Sequence, residues 1–91
     1  QDYGTAVKWY KLAAEQGSIG AQVTLGAMYA FGAGVPKDYV EAYKWEFLAA
    51  DNGNESAAKL KVMFAKTMTH IQIVKAKTLA QECIRRKFKG C

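Results

Sequence analysis

Apolar side chains along this chain recur every three or four positions, the period of a helix. Within 38–51, Ala42, Trp45 and Ala49 stand at i, i+3 and i+7 and form one stripe suited to packing on a partner. Ala6, Trp9 and Ala13 repeat that stripe near the N-terminus. Asp38, with Glu41 three residues on, is a capping-box-like start that would satisfy the free amides of the helix over 38–51. Residues 19–30 are apolar almost all the way round, which predicts a helix covered on more than one side. Thr69 and Gln72 supply another capping pattern, followed by an apolar stripe of Ile73, Ala76, Ala80 and Ile84 beside Lys75, Gln81, Glu82 and Arg85.

The two early stripes belong to a longer correspondence. The segment 2–17 returns at 38–53, a shift of 36, with identical pairs that include Trp9/Trp45, Leu12/Leu48, Ala13/Ala49 and Gly17/Gly53. A period of this length, built from helices and glycine turns, marks an α-solenoid. The expected fold is all-α, about five helices in antiparallel pairs, within one domain over 1–91. Its parts are the second helix of a truncated repeat at 2–17, a complete helix-turn-helix segment at 19–53, a degenerate helix at 55–67, a capping helix at 69–87 and a tail at 88–91.

Gly26 lies inside a helical run, where glycine costs about 1 kcal/mol against alanine, so close approach by a neighbouring helix is expected there. Gly32, Gly34 and Pro36 then end the helix and shape a short loop. The glycine pair is a poor phosphate loop, lacking both a preceding strand and the Gly-Lys-Ser/Thr ending.

Length and composition narrow the class further. A chain of 91 residues fits one compact unit, and 51% apolar against 23% charged residues can build a core rather than a disordered segment. Fifteen alanines and a single proline favour helices. The net charge of +5 is unevenly spread: residues 1–58 hold four basic and seven acidic side chains, residues 59–91 nine basic and one acidic. The basic end could meet an anionic partner; the preferred reading is a solvated face whose Arg85, Arg86 and Lys87 complement a helix dipole. Nucleic acid is not favoured, because no recognised binding motif accompanies the lysines. No apolar run approaches the roughly 18–20 residues of a membrane span.

Cys83 and Cys91 would lie about 12 Å apart on a continuous helix, too far to bridge. Gly90 can turn the chain back, so a disulfide is expected, with two free thiols as the alternative. A disulfide favours a periplasmic or secreted location, the cytoplasm being the alternative. Start at Gln1, without methionine, is consistent with removed or upstream sequence.

Residues that carry chemistry are sparse. Ser56 and Lys59 spell the Ser-x-x-Lys of penicillin-recognising acyl enzymes, but the accompanying Ser-Asp-Asn and Lys-Thr-Gly elements are missing, and Ser56 reads as a helix-start residue. His70 has no nucleophile tied to it and reads as an exposed first-turn residue. Glu41, Glu46 and Asp51 read as the wet side of a helix. No catalytic residue, metal or cofactor is assigned.

The run Ala21-x3-Leu25-Gly26-x2-Tyr29-x2-Gly32-x-Gly34-Val35-x2-Asp38-x3-Ala42-x2-Trp45-x3-Ala49-Ala50-x2-Gly53-x3-Ala57 resembles one complete Sel1-like repeat, a relative of the tetratricopeptide repeat. In that pattern Leu25, Gly26, Tyr29, Gly32, Gly34, Ala42, Trp45 and Ala49 are packing positions. The terminal segment from Met68, ending in Cys-x7-Cys, also resembles that of many bacterial proteins of the class. Lys61, Val62 and Ala65 replace the expected Leu-Gly-x2-Tyr in the third first-type helix. The resemblance implies a non-enzymatic scaffold that takes a protein or peptide on the concave face, where Gln22, Val23 and Ala27, with Lys59, Met63 and Lys66 one period later, are the candidates. Alternatives are a module for cell-wall or β-lactam-like ligands, or a regulatory appendage of a larger protein. The face around Trp9, Leu12 and Ala13 is expected to lack a covering helix, leaving apolar surface for upstream repeats or a homodimer.

Overall fold

The computed structural model describes residues 2–91; Gln1, which opens the expected domain, lies outside the described residues. These residues form five α-helices and no strand: α1 Tyr3–Glu15, α2 Ile19–Phe31, α3 Tyr39–Asp51, α4 Glu55–Ala65 and α5 His70–Arg85. Each begins at a small polar residue whose side chain accepts from an otherwise free amide: Asp2, Ser18, Asp38, Asn54 and Thr69. Thr69 and Gln72 complete a reciprocal capping box, with bonds of 3.1 and 2.9 Å. At Asp38 only half the expected box forms. Its carboxylate accepts from the Glu41 amide at 3.1 Å, whereas the Glu41 side chain turns to the Lys44 ammonium at 2.8 Å. Asn54, not Ser56, caps α4, because its Oδ1 reaches the Ala57 amide at 2.8 Å and leaves Ser56 exposed within the first turn.

The repeat is visible in the backbone itself. Gly17 and Gly53, a period apart, both adopt φ of 91°, after α1 and α3 respectively, in the same left-handed turn. α2 packs on α1, α3 and α4, which explains why its sequence has no polar face. Leu25, Trp45 and Leu48 meet in the main core with Val7, Ala14, Ala21 and Met28, and Ala42 joins Ala30 and Phe64 in a second cluster. Gly34 has φ of 78°, and a Cβ there would overlap the backbone of Tyr3, so the loop after α2 closes directly on the start of α1.

α5 does not pair with α4, the helix before it. It lies on α3, where Ala80 and Cys83 enter the main core. The expected apolar stripe is therefore shifted at its end: Ala76, Ala80 and Cys83 are buried and Ile73 is half-buried, while Ile84 is 39% exposed. Cys83, three residues after Ala80, takes the inward position, and Ile84, the next residue round the helix, faces outward. The tether is a disulfide to Cys91, with the Cα atoms 5.6 Å apart. Gly90 turns the chain at φ of 73°, but Lys87 and Phe88 also adopt positive φ, 56° and 68°. The Phe88 amide donates to the Cys83 carbonyl at 2.8 Å, so the return begins directly after the helix.

Candidate functional site

The candidate surface residues fall into two groups. Gln22 is fully buried, and its Nε2 donates to the Ala14 carbonyl at 3.1 Å, bracing α1 against α2. It is committed to the fold and offers nothing to a partner. Val23 and Ala27 are half-buried, one turn apart on α2. Lys59 and Met63 are exposed on α4 and Lys66 at its C-cap, at the spacing of one helix face. Val62, at a degenerate packing position of the repeat, is 59% exposed beside Met63 at 56%. The ion pairs among the described residues are Lys44–Glu41 and Arg86–Glu82, so the ammonium groups of Lys59 and Lys66 have no carboxylate partner within the fold.

The opposite side, formed by α1 and α3, is closed in part by the C-terminal segment. The buried Lys44 of α3 donates to the backbone oxygen of Cys91 at 2.7 Å and lies 4.7 Å over the Trp45 ring. Phe88 packs on Gly17, where a Cβ would sit 3.7 Å from its ring. α1 stays open: Trp9 is 68% exposed, and Thr5, Lys8, Trp9 and Leu12 line a shallow hollow of about 260 Å³. This is the uncovered apolar surface expected from the sequence, although Ala13 itself is half-buried.

Of the repeat-packing candidates, Gly32 and Gly34 lie exposed in the loop after α2. Leu25, Gly26, Ala42, Trp45 and Ala49 are buried, and Tyr29 is half-buried. Burial and the carboxylates of Glu41 and Asp38 push the Tyr29 phenol above its ordinary value.

Glu46 departs from its expected place on a wet helix face. Its side chain is fully buried, and neither carboxylate oxygen has a hydrogen-bond partner. α3 is covered by α2, α4 and α5, so little of it faces water. The carboxyl lies against Gly26, and desolvation pushes its pKa up to about 8, leaving it mostly protonated at neutral pH. A buried acid of this kind can mark a reactive centre. Here the carboxyl is sealed from solvent between α2 and α3. His70 is the exposed first residue of α5, and Ser56 and Lys59 are exposed on α4. Among the described residues, no group of three His, Cys, Asp or Glu side chains is placed to hold a metal ion. No helix among them is long and apolar enough to cross a membrane.

Comparison with known proteins identifies the repeat. The Sel1 repeat model matches residues 1–18 and 19–54. No curated protein matches the chain. Among solved structures, the fold superposes with a TM-score of 0.90 and 38% identity on a protein described as a protective antigen present in uropathogenic Escherichia coli strains displaying an SLR fold. The match covers 92% of this chain and 18% of that one, so the chain spans less than a fifth of the antigen's length. Sel1 repeats are generally protein–protein interaction scaffolds, which points to a non-catalytic role. The disulfide and the antigen likeness are both compatible with an extracytoplasmic protein. With two adjacent repeat matches spanning more than half its residues, on helices that superpose closely on an SLR fold, the chain belongs to the Sel1 repeat family.

Proposed function

We propose that the chain is a non-enzymatic scaffold outside the cytoplasm that binds a protein or peptide across α2 and α4. One observation carries the reading: α4 presents Val62 and Met63 exposed between the unpaired cations of Lys59 and Lys66, while α5 and the tail cover part of the opposite side. Exposed apolar side chains flanked by lysines suit a ligand with apolar anchors and carboxylates at its rim. Val23 and Ala27 of α2 extend the surface by one period. Affinity capture from the native host with the 91-residue chain tests it. The captured protein is lost with Lys59→Glu, Met63→Glu and Lys66→Glu together and kept with Lys77→Glu on α5. Equal capture by both variants would reject the site. Saturable binding of muropeptides or penicillin would support the cell-wall ligand reading instead.

A further inference from the structure

α5 and the segment after it carry charge of almost one sign. Lys75, Lys77, Arg85, Arg86, Lys87 and Lys89 are all exposed, and the single acidic side chain among residues 70–91, Glu82, makes a loose contact with Arg86 at 3.9 Å. The disulfide gathers four of the six cations, because Arg85, Arg86, Lys87 and Lys89 lie in the loop that Cys83 and Cys91 close. Lys87 and Phe88 hold positive φ there, a conformation costly for non-glycine residues. Phe88 turns inward on Gly17, and Lys87 and Lys89 stay exposed on either side of it. The end of α5 is closed without these side chains: the carbonyls of Glu82 and Ile84 accept from the amides of Arg86 and Lys87 at 3.0 Å, and that of Cys83 from Phe88 at 2.8 Å. Like charges are thus held together by a covalent bond, against their mutual repulsion.

We propose that the outer face of α5 and this cystine loop dock on an anionic phospholipid surface. Ala76, Ala80 and Cys83 take the buried side of α5, and Ile71, Val74, Thr78 and Arg85 follow one another along the side turned away from it. Ile71 is 79% exposed and Val74 48%, so two bare aliphatic side chains share a helix face with the cations. That combination fits a plane of phosphates over an apolar layer: the loop and the lysines meet headgroups while Ile71 and Val74 reach the acyl boundary. A lone phosphate is a poorer fit, since every one of the cations is exposed and none forms a buried cradle. Nucleic acid is poorer too, because Phe88, the sole Phe, Tyr or Trp of residues 70–91, is turned inward and leaves no such ring for bases to stack on. The surface uses none of the residues assigned to the protein partner on α2 and α4, so it stands independently of that reading.

Co-sedimentation of the whole chain with lipid vesicles tests this. The wild type binds vesicles of phosphatidylcholine and phosphatidylglycerol in equal parts, binds pure phosphatidylcholine weakly, and is released by added salt. Arg85→Gln, Lys87→Gln and Lys89→Gln together weaken partitioning about a hundredfold. Ile71→Ser with Val74→Ser weakens it about fivefold and leaves the salt dependence in place. Lys8→Gln, Lys59→Gln and Lys66→Gln together make the same change in net charge elsewhere and bind as the wild type does. All these side chains are exposed, so the fold tolerates the changes, which circular dichroism checks. A wild type with no preference for the anionic vesicles would overturn the proposal. So would a control that loses as much as the loop variant, since overall charge would then suffice. Unchanged binding by the Ile71 and Val74 variant would remove the face of α5 from the contact and overturn it as well. Tighter binding of a single-stranded oligonucleotide, lost with the loop variant, would assign the cations to nucleic acid instead.

Discussion

Gly26 of α2 and Glu46 of α3 meet so closely that a Cβ on the glycine would overlap the carboxyl group, with Cδ only 2.8 Å away and the Ala42 carbonyl at 3.1 Å. The contact explains both the glycine inside a helix and the tightness of the α2–α3 pair. Gly26→Ala is expected to destabilise the chain by about 2 kcal/mol through overpacking, despite the better helix propensity of alanine. In a Glu46→Ala background the same change costs less, and a double-mutant cycle by urea denaturation reads the coupling.

The buried carboxyl also makes stability depend on pH. Its value in the fold is about 8, against an ordinary 4.5. Below the ordinary value the group is neutral in both states and imposes no penalty. Between the two values the fold holds a proton that the unfolded chain releases, so stability falls as pH rises, by up to about 1.4 kcal/mol per unit. Above pH 8 this group adds no further loss. Glu46→Gln is expected to flatten the profile, which denaturation midpoints across that range would show.

Much of this architecture was legible in the sequence because its causes are local or periodic. Asp38, Gly17 and Gly53, and the apolar stripe of α3 each follow from capping, turn and helical spacing. Glu46 was not legible. A charge on an amphipathic pattern is ordinarily wet, and only the covering of α3 by three helices removes that face from water. The placement of α5 was equally hidden: its apolar stripe requires a partner without specifying which, and its packing on α3 together with the bond from Lys44 to Cys91 selects α3 over α4. The same limit applies to Gln22, whose bond to Ala14 depends on how α1 crosses α2.

The disulfide closes a nine-residue loop from Cys83 to Cys91 and holds the tail against α3. Reduction is expected to lower stability by about 2–3 kcal/mol, from loop-closure entropy. Intact mass after alkylation without reductant should show no added groups, and the urea midpoint should fall once reductant is present.

Trp9 and Trp45 are repeat equivalents in opposite environments, 68% and 0% exposed. Trp45→Ala is expected to cost about 3–5 kcal/mol, and Trp9→Ala within about 0.5 kcal/mol. Acrylamide quenching of Trp9→Phe and Trp45→Phe chains separates the two indoles directly: the chain retaining Trp9 is quenched readily and the one retaining Trp45 is not.

Hydrogen exchange of the chain with and without its captured partner tests the central claim most directly. Binding across the first helices of the repeats predicts new protection concentrated in α2 and α4, on the turns that carry Val23, Ala27, Lys59 and Met63. Protection confined to the outer face of α5 or to α1, with α2 and α4 unchanged, would contradict it.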